Sequence, residues 1–134
     1  MRYFLQLIAV SSLLLTGCQT TKQKFTPNEL ALMTIERDRN FTPREQLTLK
    51  KADENTVALM NQSIDSQNEM NTKCLPTKIA TFEKAQGTPL EKYRKGLEDY
   101  IKCTKKLGYD TKIIEGPAGL PGHQASINKS EQKK

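Results

Sequence analysis

The residues able to do acid–base or nucleophilic chemistry in this chain are few, and their positions say as much as their types. One histidine is present, His123, and it follows Gly116, Pro117, Gly119, Pro121 and Gly122, beyond the last helical pattern, where no rigid element aims its imidazole. A Ser-His-Asp or Cys-His nucleophile is therefore not expected. Paired carboxylates are the next chemistry to weigh, because glycan-cleaving enzymes work with two of them. Glu91 and Glu98, however, each precede a lysine by four residues, Lys95 and Lys102, in the orientation that favours surface ion pairs on a helix. Lys92, Arg94, Lys102, Lys105 and Lys106 lie toward a helix C-terminus, where cations complement the dipole. No glycine-rich loop follows a strand to cradle a phosphate. The expectation is a protein that is not an enzyme and takes no cofactor. Tyr93, Leu97 and Tyr100 are the remaining candidates. Two tyrosines one heptad apart suit a partner-binding groove, since each has an apolar body and a polar tip; the same spacing suits core lining.

The cysteines carry a different message. Cys18 closes a segment in which Arg2 is followed by an apolar run over residues 3–15 and then by Leu15-Thr16-Gly17-Cys18. A run of about a dozen residues is too short to span a bilayer, which takes roughly twenty, and has the length of an export signal. Its last four residues resemble the lipobox of bacterial lipoproteins. The resemblance implies that residues 1–17 are a signal peptide cut just before Cys18, and that Cys18 carries diacylglycerol and an acyl chain such as palmitate. Each buried methylene contributes about 0.8 kcal/mol, so two or three chains make a permanent membrane anchor. In Gram-negative lipoproteins an aspartate after the cysteine retains the protein in the inner membrane. Here Gln19 stands there, which implies an outer-membrane anchor facing the periplasm, or a cell-membrane anchor in a Gram-positive source.

With Cys18 acylated, Cys74 and Cys103 are the only pair left, in a compartment where disulfides persist. Closing a loop of about thirty residues stabilises a fold by roughly 3.5 kcal/mol in the chain-entropy account. Their spacing is unlike a Cys-x-x-Cys redox pair, so the bridge is read as structural. A zinc site then lacks ligands, and no metal is expected.

Of the 134 residues, 1–17 are the signal, 18–25 the acylated cysteine and a polar spacer, 26–114 a single small domain, and 115–134 a Gly/Pro-rich and then polar tail read as disordered. Net charge is +6 and uneven: residues 19–72 hold seven Lys/Arg against eight Asp/Glu, and residues 73–134 hold thirteen against seven. A basic half beside a membrane suits anionic headgroups or cell-wall carboxylates. Nucleic acid is not an expected partner there.

Three Thr-Pro-x-Glu signals, at Thr26, Thr42 and Thr88, read as helix starts: threonine caps, proline takes the first position, and glutamate reaches back. The first helix is expected over residues 27–39, burying Leu30, Met33 or Ile35. The second starts at Pro43 and follows the apolar line Leu47, Leu49, Ala52, Val57, Met60 and Ile64, with residues 61–73 its weakest stretch. Pro76 forces a break, and a short helix ends near Gly87. The last helix runs from Pro89 to about Leu107, with Gly108 as its stop and Gly96 allowing a close neighbour. The pattern predicts an all-α fold, a small bundle of three to four helices stapled by one disulfide between a disordered spacer and a disordered tail.

Such a chain reads as a binding or assembly module. Its size, lipobox, helical pattern and cysteine pair are similar to the helical pilotins, outer-membrane lipoproteins that bind the C-terminal segment of a secretin subunit. That resemblance is architectural and implies an envelope protein partner received in a groove near Tyr93, Leu97 and Tyr100. The alternative class is an inhibitor or immunity lipoprotein against a periplasmic toxin or hydrolase, whose basic half would meet an acidic surface. A spacer contacting peptidoglycan through its lysines is a third. Oligomeric state is not legible.

Overall fold

Two of the three Thr-Pro-x-Glu signals start helices in the computed structural model, which describes residues 24–48 and 53–126. The segment read as a signal, Cys18, most of the stretch read as a spacer, and residues 127–134 lie outside the described residues. Helix α1 spans Pro27–Arg39 and helix α3 spans Pro89–Lys106. The hydroxyls of Thr26 and Thr88 accept from the backbone N–H of Glu29 and Glu91, both at 3.2 Å, so each cap satisfies one orphan donor of its first turn. Asn28 Oδ1 accepts from the Leu90 backbone N–H at 2.9 Å and ties the two starts together. Along α1, Ala31 and Ile35 are buried, whereas Met33 is half exposed.

The signal at Thr42 starts nothing. Residues 41–48 have no regular structure, and helix α2 begins eleven residues after Pro43, at Glu54. Leu49 and Ala52 lie outside the described residues. Side chains of α2 supply the reason, because they take the backbone groups that a helix would have used. Asn68 bonds both the N–H and the carbonyl of Arg44, at 2.9 and 2.8 Å, and Asn61 does the same for Leu47, at 2.7 and 3.1 Å.

Pro76 breaks nothing either: α2 is one helix, Glu54–Lys84, of 31 residues. A proline inside a helix removes one hydrogen bond and costs about 3 kcal/mol. Here the carbonyl it releases belongs to Thr72, and both residues are exposed, so water can serve it. Flanking Cys74, Leu75 and Lys78 are buried and hold the axis on α3. The stretch over residues 61–73, polar as it is, continues the helix with Ile64 and Met70 buried.

Helices α2 and α3 form an antiparallel pair turning at Gly87, whose φ of +117° is a conformation glycine adopts at little cost. Cys74 and Cys103 are bridged across it, with Cα atoms 5.7 Å apart. A Cβ on Gly96 would lie 2.7 Å from the Lys78 carbonyl oxygen, so the close approach of α2 depends on that glycine. Gly108, at φ +97°, ends α3.

The fold is not purely all-α. Strands β1, Thr111–Glu115, and β2, Pro121–Ala125, pair antiparallel with Ile113 opposite His123. The folded part therefore continues past residue 114 through the Gly/Pro cluster read as tail, at least to Ala125. Those glycines and prolines form the turn: Pro117–Gly119 is a 3-10 turn, with Ala118 and Gly119 at φ +60° and +79°. The hairpin is fastened to α3 by a buried 2.7 Å hydrogen bond between the Thr104 and Thr111 hydroxyls. Residues of α1, α2, α3 and Tyr109 make one core, with Leu97, Cys74 and Ala31 fully enclosed.

Candidate functional site

On α2 the buried stripe reads Cys74, Lys78, Phe82, so a lysine occupies a core position. Burying an ammonium is costly unless it is paired. Asp38, in the last turn of α1, supplies the charge: its Oδ2 lies 2.7 Å from Lys78 Nζ, and both side chains are nearly enclosed, at 11% and 5% exposure. Lys78 also donates to the Tyr93 hydroxyl at 3.2 Å and lies 4.5 Å from the Tyr93 ring centre and 5.9 Å from that of Tyr100. Ring faces attract a cation, so the tyrosines add to the pairing.

Tyr100 donates its hydroxyl to Asn71 Oδ1 at 2.8 Å. Burial, with the charge of Asp38 and then Tyr93, holds that phenol well above its ordinary value of 10.0, so it stays a donor. His123 of β2 lies on the Tyr100 ring, centroids 4.8 Å apart. Part of the residue is exposed to solvent. Desolvation of the rest, and then the nearby Lys78 cation, push its pKa below the ordinary 6.5, while Asp38 opposes the shift. The histidine is thus aimed by a strand and a ring, contrary to its expected place in an unstructured tail.

Asp38, Asn71, Lys78, Tyr93 and His123 of this cluster line a cleft of about 1030 Å³ between α1, α2 and the hairpin. Its walls are largely apolar, from Leu30, Phe41, Leu75, Ile114 and Leu120, and Arg37 and Arg44 also line it. Gln67, Asn71 and His123 line both this cleft and a smaller cavity of about 330 Å³, which Tyr100 also lines. An open cleft with apolar walls and a few convergent polar groups is built to hold a ligand's apolar body and fix its orientation.

The three residues expected to form a groove separate. Tyr93 lines the larger cleft, Tyr100 the smaller cavity, and Leu97, at 0% exposure, lines neither and cannot meet a partner. Among the described residues Glu91 and Glu98 form no ion pair with Lys95 or Lys102. Lys102 lies 3.9 Å from Asp99, and Arg94 meets Glu115 of β1 at 3.1 Å. The described residues contain no cluster of three His, Cys, Asp or Glu that could hold a metal, and no helix long and apolar enough to cross a membrane.

Sequence reasoning passed over Asp38 and Lys78 and set His123 aside. The first two had a usable signal: Asp38 follows buried Ile35 by three and Ala31 by seven, and Lys78 stands midway between Cys74 and Phe82. Opposite charges on two apolar stripes mark a buried pair. Compared with known proteins, the chain matches no family model, no curated protein and no solved structure.

Proposed function

We propose that this protein is a lipid-anchored lipoprotein of the bacterial envelope, held through Cys18 in the outer membrane and facing the periplasm, whose domain binds an envelope protein without catalysis. The anchor rests on Leu15-Thr16-Gly17-Cys18 after an apolar run of signal length. Binding rests on one observation above others, the apolar-walled cleft over the Lys78–Asp38 pair. An assembly role of pilotin type fits this arrangement: the anchor localises and the cleft receives a partner segment.

The test is crosslinking of the lipidated protein in cells, followed by mass spectrometry of the captured proteins. A secretin or another envelope-machine subunit is expected, with capture reduced by Ile114→Glu, which places a charge on the cleft wall at a residue already 39% exposed. Capture unchanged by Ile114→Glu would sink the cleft. The basic second half, with Arg37 and Arg44 at the cleft, favours a second reading as an inhibitor of an acidic toxin or hydrolase. A single soluble protein captured in a salt-sensitive manner would select that reading.

A further inference from the structure

The stretch of α2 that looks least like a core helix has a specific use in the fold. Asn61, Asp65 and Asn68 stand at spacings of four and three on one face of α2, and all three hold residues 44–47. Asn68 and Asn61 each engage the N–H and the carbonyl of a single residue, Arg44 and Leu47. Between them, Asp65 accepts from the Gln46 side-chain amide at 3.1 and 2.9 Å. An asparagine side chain carries the same donor and acceptor as a peptide group, so these pairs imitate an antiparallel strand contact.

Register makes the arrangement general. Three residues of extended chain cover about 10 Å, and seven residues of helix rise about the same distance. Two asparagines a heptad apart therefore meet every third residue of an extended chain. They read main-chain groups, so the side chain at the first of these positions, that of exposed Arg44, is free to vary. Within residues 42–48 only Leu47 is half-buried; the rest are exposed.

The segment also lies there against its own local preference, since Thr42-Pro43-Arg44-Glu45 is a helix-start signal like the two that are used. Arg44, beside Gln67 and Asn71 of α2, lines the large cleft, so the asparagine face continues the site described above.

We propose that Asn61, Asp65 and Asn68 form a docking rail for an extended polypeptide segment of the partner, and that residues 42–48 are an intrachain stand-in which the partner displaces. The fitting segment has non-proline residues at two positions three apart, an apolar side chain at the second, and an amide donor before it. This rests on the protein-partner reading above and adds the form of the bound segment.

The probe is a labelled synthetic peptide of residues 41–48, titrated into the full chain with its disulfide intact. Arg44→Pro/Leu47→Pro removes both N–H donors and vacates the rail. That variant is expected to bind the peptide saturably, and the wild type about tenfold or more weaker, because the intrachain segment competes at an effective concentration on the order of millimolar. Adding Asn61→Ala/Asn68→Ala abolishes binding. No binding to the vacated variant, or equal binding to all three, overturns the rail. Should the proline variant lose its helical circular dichroism, hydrogen exchange on wild type decides: excess peptide is expected to accelerate exchange at the Arg44 and Leu47 amides while leaving α3 unchanged, and no acceleration overturns the rail. Peptide binding together with an empty in-cell crosslink would keep the rail and remove the partner reading.

Discussion

Lys78 and Asp38 illustrate how a buried pair is worth little as a pair and much as a dependency. Desolvating two charges offsets most of their attraction, so replacing both by apolar residues is close to neutral, whereas removing one leaves the other buried and unpaired. Asp38→Ala is therefore expected to destabilise by about 3 kcal/mol, Lys78→Met by a similar amount, and Asp38→Leu/Lys78→Met by clearly less than their sum. Urea denaturation of the four proteins checks this, and strict additivity would rule out coupling. His123 gives a second residue-level expectation. Its pKa is below 6.5 in the native state, from desolvation first and Lys78 second, so between that lowered value and about 6.5 the unfolded chain binds more protons. Stability contributed by neutral His123 is thus complete above about pH 6.5 and is lost as pH falls toward the native pKa. Thermal melts from pH 7.5 to 5 should show a decline in Tm that is shallower in His123→Gln. Parallel curves for the two proteins would show that His123 has no part in the decline.

At the scale of elements, α2 and α3 depend on one missing side chain and one bond. Gly96→Ala puts a Cβ 2.7 Å from the Lys78 carbonyl oxygen, which is backbone and cannot rotate away. The helices must separate, at an expected loss of about 1 to 3 kcal/mol, far beyond the usual gain from replacing helical glycine by alanine. A stability equal to or above wild type would show that the pair is not closely packed there. Both the glycine and the bridge were legible in the sequence, since Gly96 lies on the face of Tyr93, Tyr100 and Cys103, and the cysteines come level when the chain folds at Gly87. Two of the departures share one physical cause, tertiary partners that outweigh a local signal. Thr42-Pro43 satisfies every local rule for a helix start, but Asn61 and Asn68 compete for its backbone from at least fourteen residues away. Pro76 satisfies every rule for a stop, yet the helix continues through it between buried neighbours. The hairpin failed differently: Gly116, Pro117 and Gly119 were turn chemistry between two short strands, and their density imitated a disordered tail. Of the site, the tyrosines were legible as candidates, while the charge pair beneath the cleft was masked because each partner looked like an ordinary surface residue.

For the whole molecule, the lipoprotein reading proposed above makes the anchor and the domain separable in energy and joined in function. The core is built from residues 31–109, so on that reading Cys18→Ser, exported through a conventional secretory signal, is expected to keep the Tm of the domain. If Cys18 is acylated as proposed, the same variant is expected to move from the membrane to the soluble periplasmic fraction, since acyl chains worth about 0.8 kcal/mol per methylene are lost at once; an unchanged membrane fraction would overturn the anchor. The consequence for binding follows from geometry. A cleft with apolar walls and one buried charge pair needs only modest affinity if its partner reaches the same membrane, because tethering raises the effective concentration of each for the other without any new contact. The soluble variant should therefore bind an isolated partner segment as tightly as the anchored protein does, yet capture far less of the intact partner in cells. Undiminished capture by the soluble form would mean that the cleft alone carries the encounter and that the lipid serves only to place the protein.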